Sequence, residues 1–215
     1  MSLTKAVSML RTGALHFTRT DKLEAFDRFE GSLPSQNYRS LTPALRSSIE
    51  DLRAHRLVNC WHAREHETHG LWQSYVPTGE GLAIRTSIDR LQGALRVTLH
   101  PVYAGLVMYI DYDTTVLPDD VLNFLYLYKR LYFEDEREFR LVIGTEGMAS
   151  SGLRVEVDLD VLIADVVVPP TASQWFTHEV ALLFEHYGYP RIVRQSEIAR
   201  DPSFYKSEPT EWGRG

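Results

Sequence analysis

The stretch that decides the fold is Phe133-Glu134-Asp135-Glu136-Arg137-Glu138-Phe139-Arg140-Leu141-Val142-Ile143. Side chains alternate between the two faces of a β-strand, so the apolar residues 139, 141 and 143 are expected to face a core. Glu136, Glu138 and Arg140 would then share the other face, with the two carboxylates about 6.5–7 Å apart along the strand. Such a charged row can bind or polarise a substrate, or it can be a solvent-exposed ladder of salt bridges.

Hydrophobic patterns on both sides of this stretch predict helices and strands without a strict βαβ alternation. The predicted strands cover residues 14–17, 57–61, 81–85, 102–110, 155–157, 164–168 and 192–193. The predicted helices are one that ends at Gly13, one that Thr42 and Pro43 open, and those at 67–75, 87–91, 118–128 and 173–187. The pattern favours an α+β fold with a mixed or antiparallel sheet and packed helices, in one domain over residues 1–200 with a polar tail at 201–215.

Composition excludes several classes of protein. The chain has 215 residues, of which 44% are hydrophobic, and a net charge of −6, which provides no electrostatic footprint for nucleic acid. Its single cysteine, Cys60, allows neither an internal disulfide nor a cysteine-based zinc site, and suits a reducing compartment. The sequence shows neither a signal-peptide core nor an apolar run of about 20 residues, so we expect a cytoplasmic protein without a membrane segment.

Several segments, taken in order, resemble the DUF2971 family, a bacterial family named for its unknown function. The segments that carry the resemblance are Leu15-His16-Phe17 with Asp21, Asp27, Phe29, Glu30 and Gly31; Val58-Asn59-Cys60-Trp61-His62; Glu67-Thr68 with Leu71-Trp72-Gln73-Ser74-Tyr75; Gly81-Leu82-Ala83-Ile84-Arg85; Tyr109-Ile110-Asp111-Tyr112; Lys129-Arg130-Leu131-Tyr132-Phe133; Glu136-Arg137-Glu138-Phe139-Arg140; and Pro169 to Phe176. The resemblance implies a bacterial protein of one whole-chain domain.

The chain departs from the family pattern at two places. Phe26 and Arg28 stand where the family usually has Asn and Pro, and Gln73-Ser74 replaces a common Ser-His pair. If either pair takes part in the chemistry of the family, this member performs that chemistry differently or lacks it.

A Glu-x-Glu at the start of a strand is also the third signature of many mono-ADP-ribosyltransferases. There a carboxylate lies near the positive charge that develops on the ribose as nicotinamide leaves, which is also the requirement in glycosidases. By this analogy Glu138, with Glu136 and Arg140, is the catalytic group, and NAD is a possible substrate or cofactor. The predicted ligand-binding residues are His16, Arg19, Glu30, Trp72, Tyr75, Arg85, Lys129 and Arg130. We expect these distant motifs to converge on one cleft.

Other readings of the sequence stay open or are discounted. The alternative to an enzyme is a non-catalytic regulatory module that binds a small molecule or a protein in the same groove. The His62-Ala63-Arg64-Glu65-His66 run matches a zinc-protease pattern in letters only, because His62 directly follows a predicted strand, so no metal site is predicted. Cys60, inside that strand, is expected to be a buried, inert thiol.

Overall fold

The computed structural model describes residues 1–25, 27–118, 124–145 and 152–202. The fold is mixed α+β, as predicted. Its helices are α1 (Leu3–Thr12), α2 (Ser35–Ser40), α3 (Pro43–Ala54), α4 (His69–Tyr75), α5 (Ile88–Ala94), α6 (Leu159–Leu162) and α7 (Gln174–His186). Its strands are β1 (Ala14–Arg19), β2 (Arg56–His62), β3 (Ala83–Arg85), β4 (Tyr103–Leu106), β5 (Met108–Ile110), β6 (Tyr128–Arg130), β7 (Glu138–Gly144), β8 (Leu153–Glu156), β9 (Asp165–Val168) and β10 (Val193–Gln195).

The chain divides into two compact units. The larger unit covers residues 8–65 and 87–162 and contains an antiparallel sheet with the strand order β4-β7-β2-β1-β8. Strand β7 lies between β4 and β2, and Leu57, Leu141 and Ile143 are almost completely buried on one face of the sheet. The predicted core face of β7 is therefore confirmed at residues 141 and 143, whereas Phe139 is half-buried.

The smaller unit covers residues 1–7, 66–86 and 163–215, of which residues 203–215, and so most of the predicted polar tail, lie outside the described part. Its sheet has the order β10-β9-β3, with β10 parallel and β3 antiparallel to β9. Helix α7 begins where Ser173 accepts a hydrogen bond from the Phe176 backbone, and it buries Val180 and Phe184 as its periodicity predicts.

The structure corrects the sequence reading at several elements. Glu136 does not lie on β7: it ends a 3-10 helix at Leu131–Glu136, and Arg137 follows in the left-handed region with φ 42°. The single strand predicted at 102–110 is interrupted at Val107 and forms β4 and β5. Residues 119–123 of the helix predicted at 118–128 lie outside the described part, residues 124–127 form a 3-10 turn, and Tyr128 begins β6.

Two smaller details of the sequence pattern also differ from the structure. The spacing of Leu45, Ile49 and Leu52 predicts a buried stripe on α3, but the Leu45 side chain is exposed while Ile49 is buried. The pattern at residues 158–162, between two predicted strands, predicts a tight corner, and the structure has the short helix α6 there. Among the described residues, no helix has both the length and the apolar character that crossing a membrane would require.

Candidate functional site

Two charged residues of β7, Glu138 and Arg140, lie side by side on the face opposite the apolar core. Arg140 Nε lies 2.7 Å from Glu138 Oε2, and Arg140 Nη2 donates to Glu138 Oε1 at 3.0 Å. Only 3% of Glu138 and 1% of Arg140 is exposed. The solvent-exposed salt-bridge ladder is therefore the wrong alternative, because other segments of the larger unit cover this part of the charged face.

The segment that reaches Arg140 from farthest along the chain contains Glu30. Arg140 donates two hydrogen bonds to the Glu30 carboxylate, one of them from Nη2 at 3.1 Å, across a separation of 110 residues. Arg140 Nη1 also donates to the Tyr126 carbonyl at 2.7 Å. Glu30 is itself buried, in a turn that continues through Gly31 with φ 67°. The guanidinium thus fastens the Glu30 turn to β7.

Lys129 on β6 joins the two carboxylates of the Glu-x-Glu run. Its Nζ lies 2.7 Å from Glu136 Oε2 and 2.7 Å from Glu138 Oε1. The ammonium also lies 4.4 Å from the centre of the Phe133 ring, a cation–π contact. Tyr109 on β5, the strand paired with β6, accepts a hydrogen bond from the Glu138 backbone N–H at 2.8 Å. The charged cluster, as we name it, consists of Glu30, Lys129, Glu136, Glu138 and Arg140.

The charged cluster shifts the pKa values of its two neighbouring carboxyls, Glu136 and Glu138, in opposite directions. Burial alone would raise the pKa of Glu138, but the hydrogen bonds and charge of Arg140, together with Lys129, hold that pKa well below its usual range. For Glu136, burial raises the pKa, the Glu138 carboxyl acts in the same direction, and Lys129 opposes both. Of the two carboxyls, Glu138 therefore ionises at the lower pH, and Glu136 holds a proton more readily.

Beside the charged cluster lies an open part of the same sheet face, the open patch, formed by His16, Cys60 and His62. Cys60 pairs with Arg140 and His62 pairs with Glu138 across β2 and β7, and opposite residues of an antiparallel pair share a face. Strand β1 pairs with β2 at Thr18 and Val58. The same register, extended by two residues, places His16 beside Cys60, and there the Asn59 side chain donates a hydrogen bond to the His16 carbonyl at 2.9 Å.

The open patch is accessible to solvent, although Cys60 was expected to be buried. Cys60 and His16 are exposed and His62 is half-buried. His62 Nδ1 lies 2.8 Å from the Glu136 carbonyl oxygen, so the imidazole is held at the rim of the charged cluster. Although part of Cys60 reaches solvent, desolvation by the protein atoms around it raises the pKa of its thiol; Arg140 opposes this shift and Glu138 adds to it. The thiol is therefore protonated at neutral pH and is not an activated nucleophile.

A second ion pair extends the site from the charged cluster. Arg130, next to Lys129 on β6, donates from Nη2 to the buried Asp27 carboxylate at 2.9 Å. Its guanidinium lies 4.6 Å from the centre of the Phe29 ring and 5.4 Å from that of Phe133. Both cations thus contact carboxylates and aromatic rings of the larger unit, and ligand binding by Lys129 and Arg130 stays a prediction.

Four further predicted site residues make contacts with residues outside the charged cluster. Arg19 is on the opposite face of β1 from His16, and its Nε donates to Asp21 Oδ1 at 2.9 Å. Trp72, Tyr75 and Arg85 belong to the smaller unit. There Trp72 is buried and donates from its indole to Glu67 Oε2 at 3.0 Å, Tyr75 is half exposed, and Arg85 pairs with Asp165. Their convergence with the charged cluster stays a prediction.

Comparison of the chain with protein-family models, with curated proteins and with solved structures found no match. The resemblance to the DUF2971 family therefore stays a prediction, and the function has to be argued from the geometry of the site. Of the four residues at which the sequence departs from the family pattern, Phe26 lies outside the described part, and Arg28, Gln73 and Ser74 are exposed.

No group of three or more histidine, cysteine, aspartate or glutamate side chains that could hold a metal ion occurs in the described ranges of the chain. The acidic side chains of the charged cluster form ion pairs with Lys129 and Arg140. The chemistry that this site offers is proton transfer and charge stabilisation by side chains.

Proposed function

We propose that this protein is a small nucleotide-handling enzyme that cleaves or transfers at the N-glycosidic bond of NAD, by ADP-ribosyl transfer or NAD hydrolysis. The observation that carries the proposal is the Glu136–Lys129–Glu138 arrangement beside the open patch. Two neighbouring carboxyls whose environments shift their pKa values in opposite directions are the arrangement that acid–base chemistry requires.

In the proposed reaction the two carboxyls have different roles. A quarter of the Glu136 side chain is exposed, at 26%, so this carboxyl reaches the substrate. Its carboxylate accepts the proton of the attacking water or acceptor group, which bonds to the ribose carbon as neutral nicotinamide leaves. Glu138 is a positioning residue: its charge acts through Lys129 and Glu136, because 3% exposure leaves it out of reach of a ribose. As nicotinamide leaves, the ribose becomes positively charged, and the carboxyl pair stabilises that charge.

A second candidate function is a non-catalytic module that binds a small molecule or a protein partner. The observation that favours it is that Arg140 already donates hydrogen bonds within the protein, to Glu30, Glu138 and the Tyr126 carbonyl. A buried network of this kind can serve to fix one arrangement of the fold, which is a structural role. The sequence also contains no glycine-rich phosphate loop, which enzymes that bind nucleotides by their phosphates often use.

The experiment that tests the proposal is to incubate the purified chain with NAD and to quantify released nicotinamide by chromatography. We expect release from the unchanged protein, and a loss of about 10²–10³ in rate for Glu136→Gln. Glu138→Gln should also lower the rate. Glu134→Gln is the matched control, because Glu134 is exposed on the same 3-10 helix and should release nicotinamide at the unchanged rate.

Two outcomes would contradict parts of the proposal. Full-rate release by a folded Glu136→Gln protein would remove Glu136 from the mechanism. If the unchanged protein neither releases nicotinamide nor binds NAD by calorimetry, the enzyme proposal fails and the binding module becomes the better account.

A further inference from the structure

Strand β4 forms one edge of the five-stranded sheet, and this edge has the properties of a pairing surface. Its inner side pairs with β7, where Gly105 lies opposite Arg140 and the Val107 N–H donates to the Glu138 carbonyl at 2.9 Å. Hydrogen-bonded pairs in an antiparallel ladder recur at every second residue. Residues 103, 105 and 107 therefore point their backbone groups towards β7, while Ala104 and Leu106 point theirs outwards.

The outward backbone groups of Ala104 and Leu106 make no hydrogen bond to any other described residue. Two large side chains of β4 are also exposed and largely apolar: Tyr103 is 60% exposed and Leu106 61%. Residues 102–110 contain no charged residue and no proline. An open strand edge without charge or proline is a template for another strand.

The opposite edge of the same sheet, strand β8, carries charged side chains of the kind that prevent edge-to-edge association. Strand β8 pairs with β1 through Val155 and presents the exposed charged side chains of Arg154 and Glu156 along its length. Charged side chains on an edge strand oppose the approach of a second sheet. The two edges of one sheet thus differ in the feature that decides whether an edge associates.

We propose that the β4 edge pairs with the β4 edge of a second copy of this chain, antiparallel about a two-fold axis at Gly105. In that register Ala104 of each copy lies opposite Leu106 of the other, and the two pairs exchange about four backbone hydrogen bonds. A small side chain opposite a large one is a favourable cross-strand pair, and it occurs twice by symmetry.

The charge of the chain favours this partner and this site. Two copies each carry a net charge of −6 and repel one another, so contact between them costs least where the surface carries little charge. An uncharged strand paired with itself brings no like charges together. Because β4 has only four residues, the interface is small, and the dimer is weak and dependent on concentration.

The experiment is sedimentation equilibrium of the full chain over a wide concentration range. We expect a monomer–dimer equilibrium for the unchanged protein. Ala104→Pro removes an outward N–H that the monomer does not use, and Leu106→Lys places a charge on the edge. Each should weaken the dimer at least tenfold while circular dichroism stays that of the unchanged protein.

Two controls separate the edge from general surface effects. Arg154→Pro makes the same backbone change at an outward position of the β8 edge, and Leu99→Lys makes the same charge change at a residue that is 99% exposed and outside any strand. Both should dimerise as the unchanged protein does. A chain that stays monomeric at all concentrations overturns the proposal, as does a dimer that withstands Leu106→Lys.

Discussion

Replacing Arg140 by glutamine is the perturbation that tests the charged cluster most directly. The change removes the cation between two carboxylates that are 2% and 3% exposed, those of Glu30 and Glu138. Breaking a buried ion pair by removing one partner costs about 3–5 kcal/mol, because the remaining charge is left buried and unpaired. For a chain of this size that loss corresponds to a melting temperature lower by about 6–20 °C.

The assay is urea unfolding at neutral pH, followed by circular dichroism and repeated at acidic pH. The loss should shrink as the pH falls: Arg140 lowers the pKa of Glu138, so the stability that this pair contributes is present above the unfolded pKa of the carboxyl and is lost as the pH falls towards the lower folded pKa. Arg154→Gln is the matched control, since Arg154 is an exposed arginine on the same face of the same sheet and should change stability by less than about 0.5 kcal/mol. A loss below about 1 kcal/mol for Arg140→Gln, or one equal to that of the control, would refute the reasoning.

Two further predictions concern single residues. Glu136→Gln should leave the protein at least as stable as the unchanged chain at pH 7. Because the pKa of Glu136 is raised in the folded protein, ionisation of this carboxyl disfavours the folded state. That cost is fully present above the folded pKa and disappears as the pH falls below the pKa of the unfolded chain. The comparison is made by urea unfolding at pH 7 and pH 4, and a clear loss at pH 7 would show that the carboxylate stabilises the fold. Ser173→Ala should lower stability by about 1 kcal/mol, because Ser173 caps α7, whereas Ser74→Ala at an exposed site in α4 should not; equal effects in thermal unfolding would contradict the capping role.

The sequence predicted those parts of the fold for which local chemistry is sufficient. Helices α3 and α7 begin at Thr42 and Ser173, whose side chains cap the first turn, and α1 ends before Gly13, which has φ 59°. Capping residues and a glycine with positive φ act within a few residues of the chain, so a single sequence shows them.

The sequence could not predict which face of β7 would be covered. Alternation placed Glu138 and Arg140 on one face correctly, but the burial of that face depends on Glu30 and Lys129, which come from other segments. Glu136 does not belong to β7, because Arg137 between them adopts a left-handed conformation. This conformation is rare for a residue other than glycine, so the sequence does not predict it. The pairing of Cys60 with Arg140 across β2 and β7 likewise depends on the register of the two strands, which the separate sequence motifs do not predict.

The distance in sequence between Glu30 and Arg140 has a consequence for how the larger unit folds. The two residues are separated by 110 positions, and their ion pair cannot form until β7, its neighbouring strands and the Glu30 turn have met. Contacts between distant segments carry a large loop-closure cost, so they tend to form late. The Arg140 contacts would then be largely absent from the folding transition state, and they would act mainly to slow unfolding and so to lengthen the lifetime of the native state.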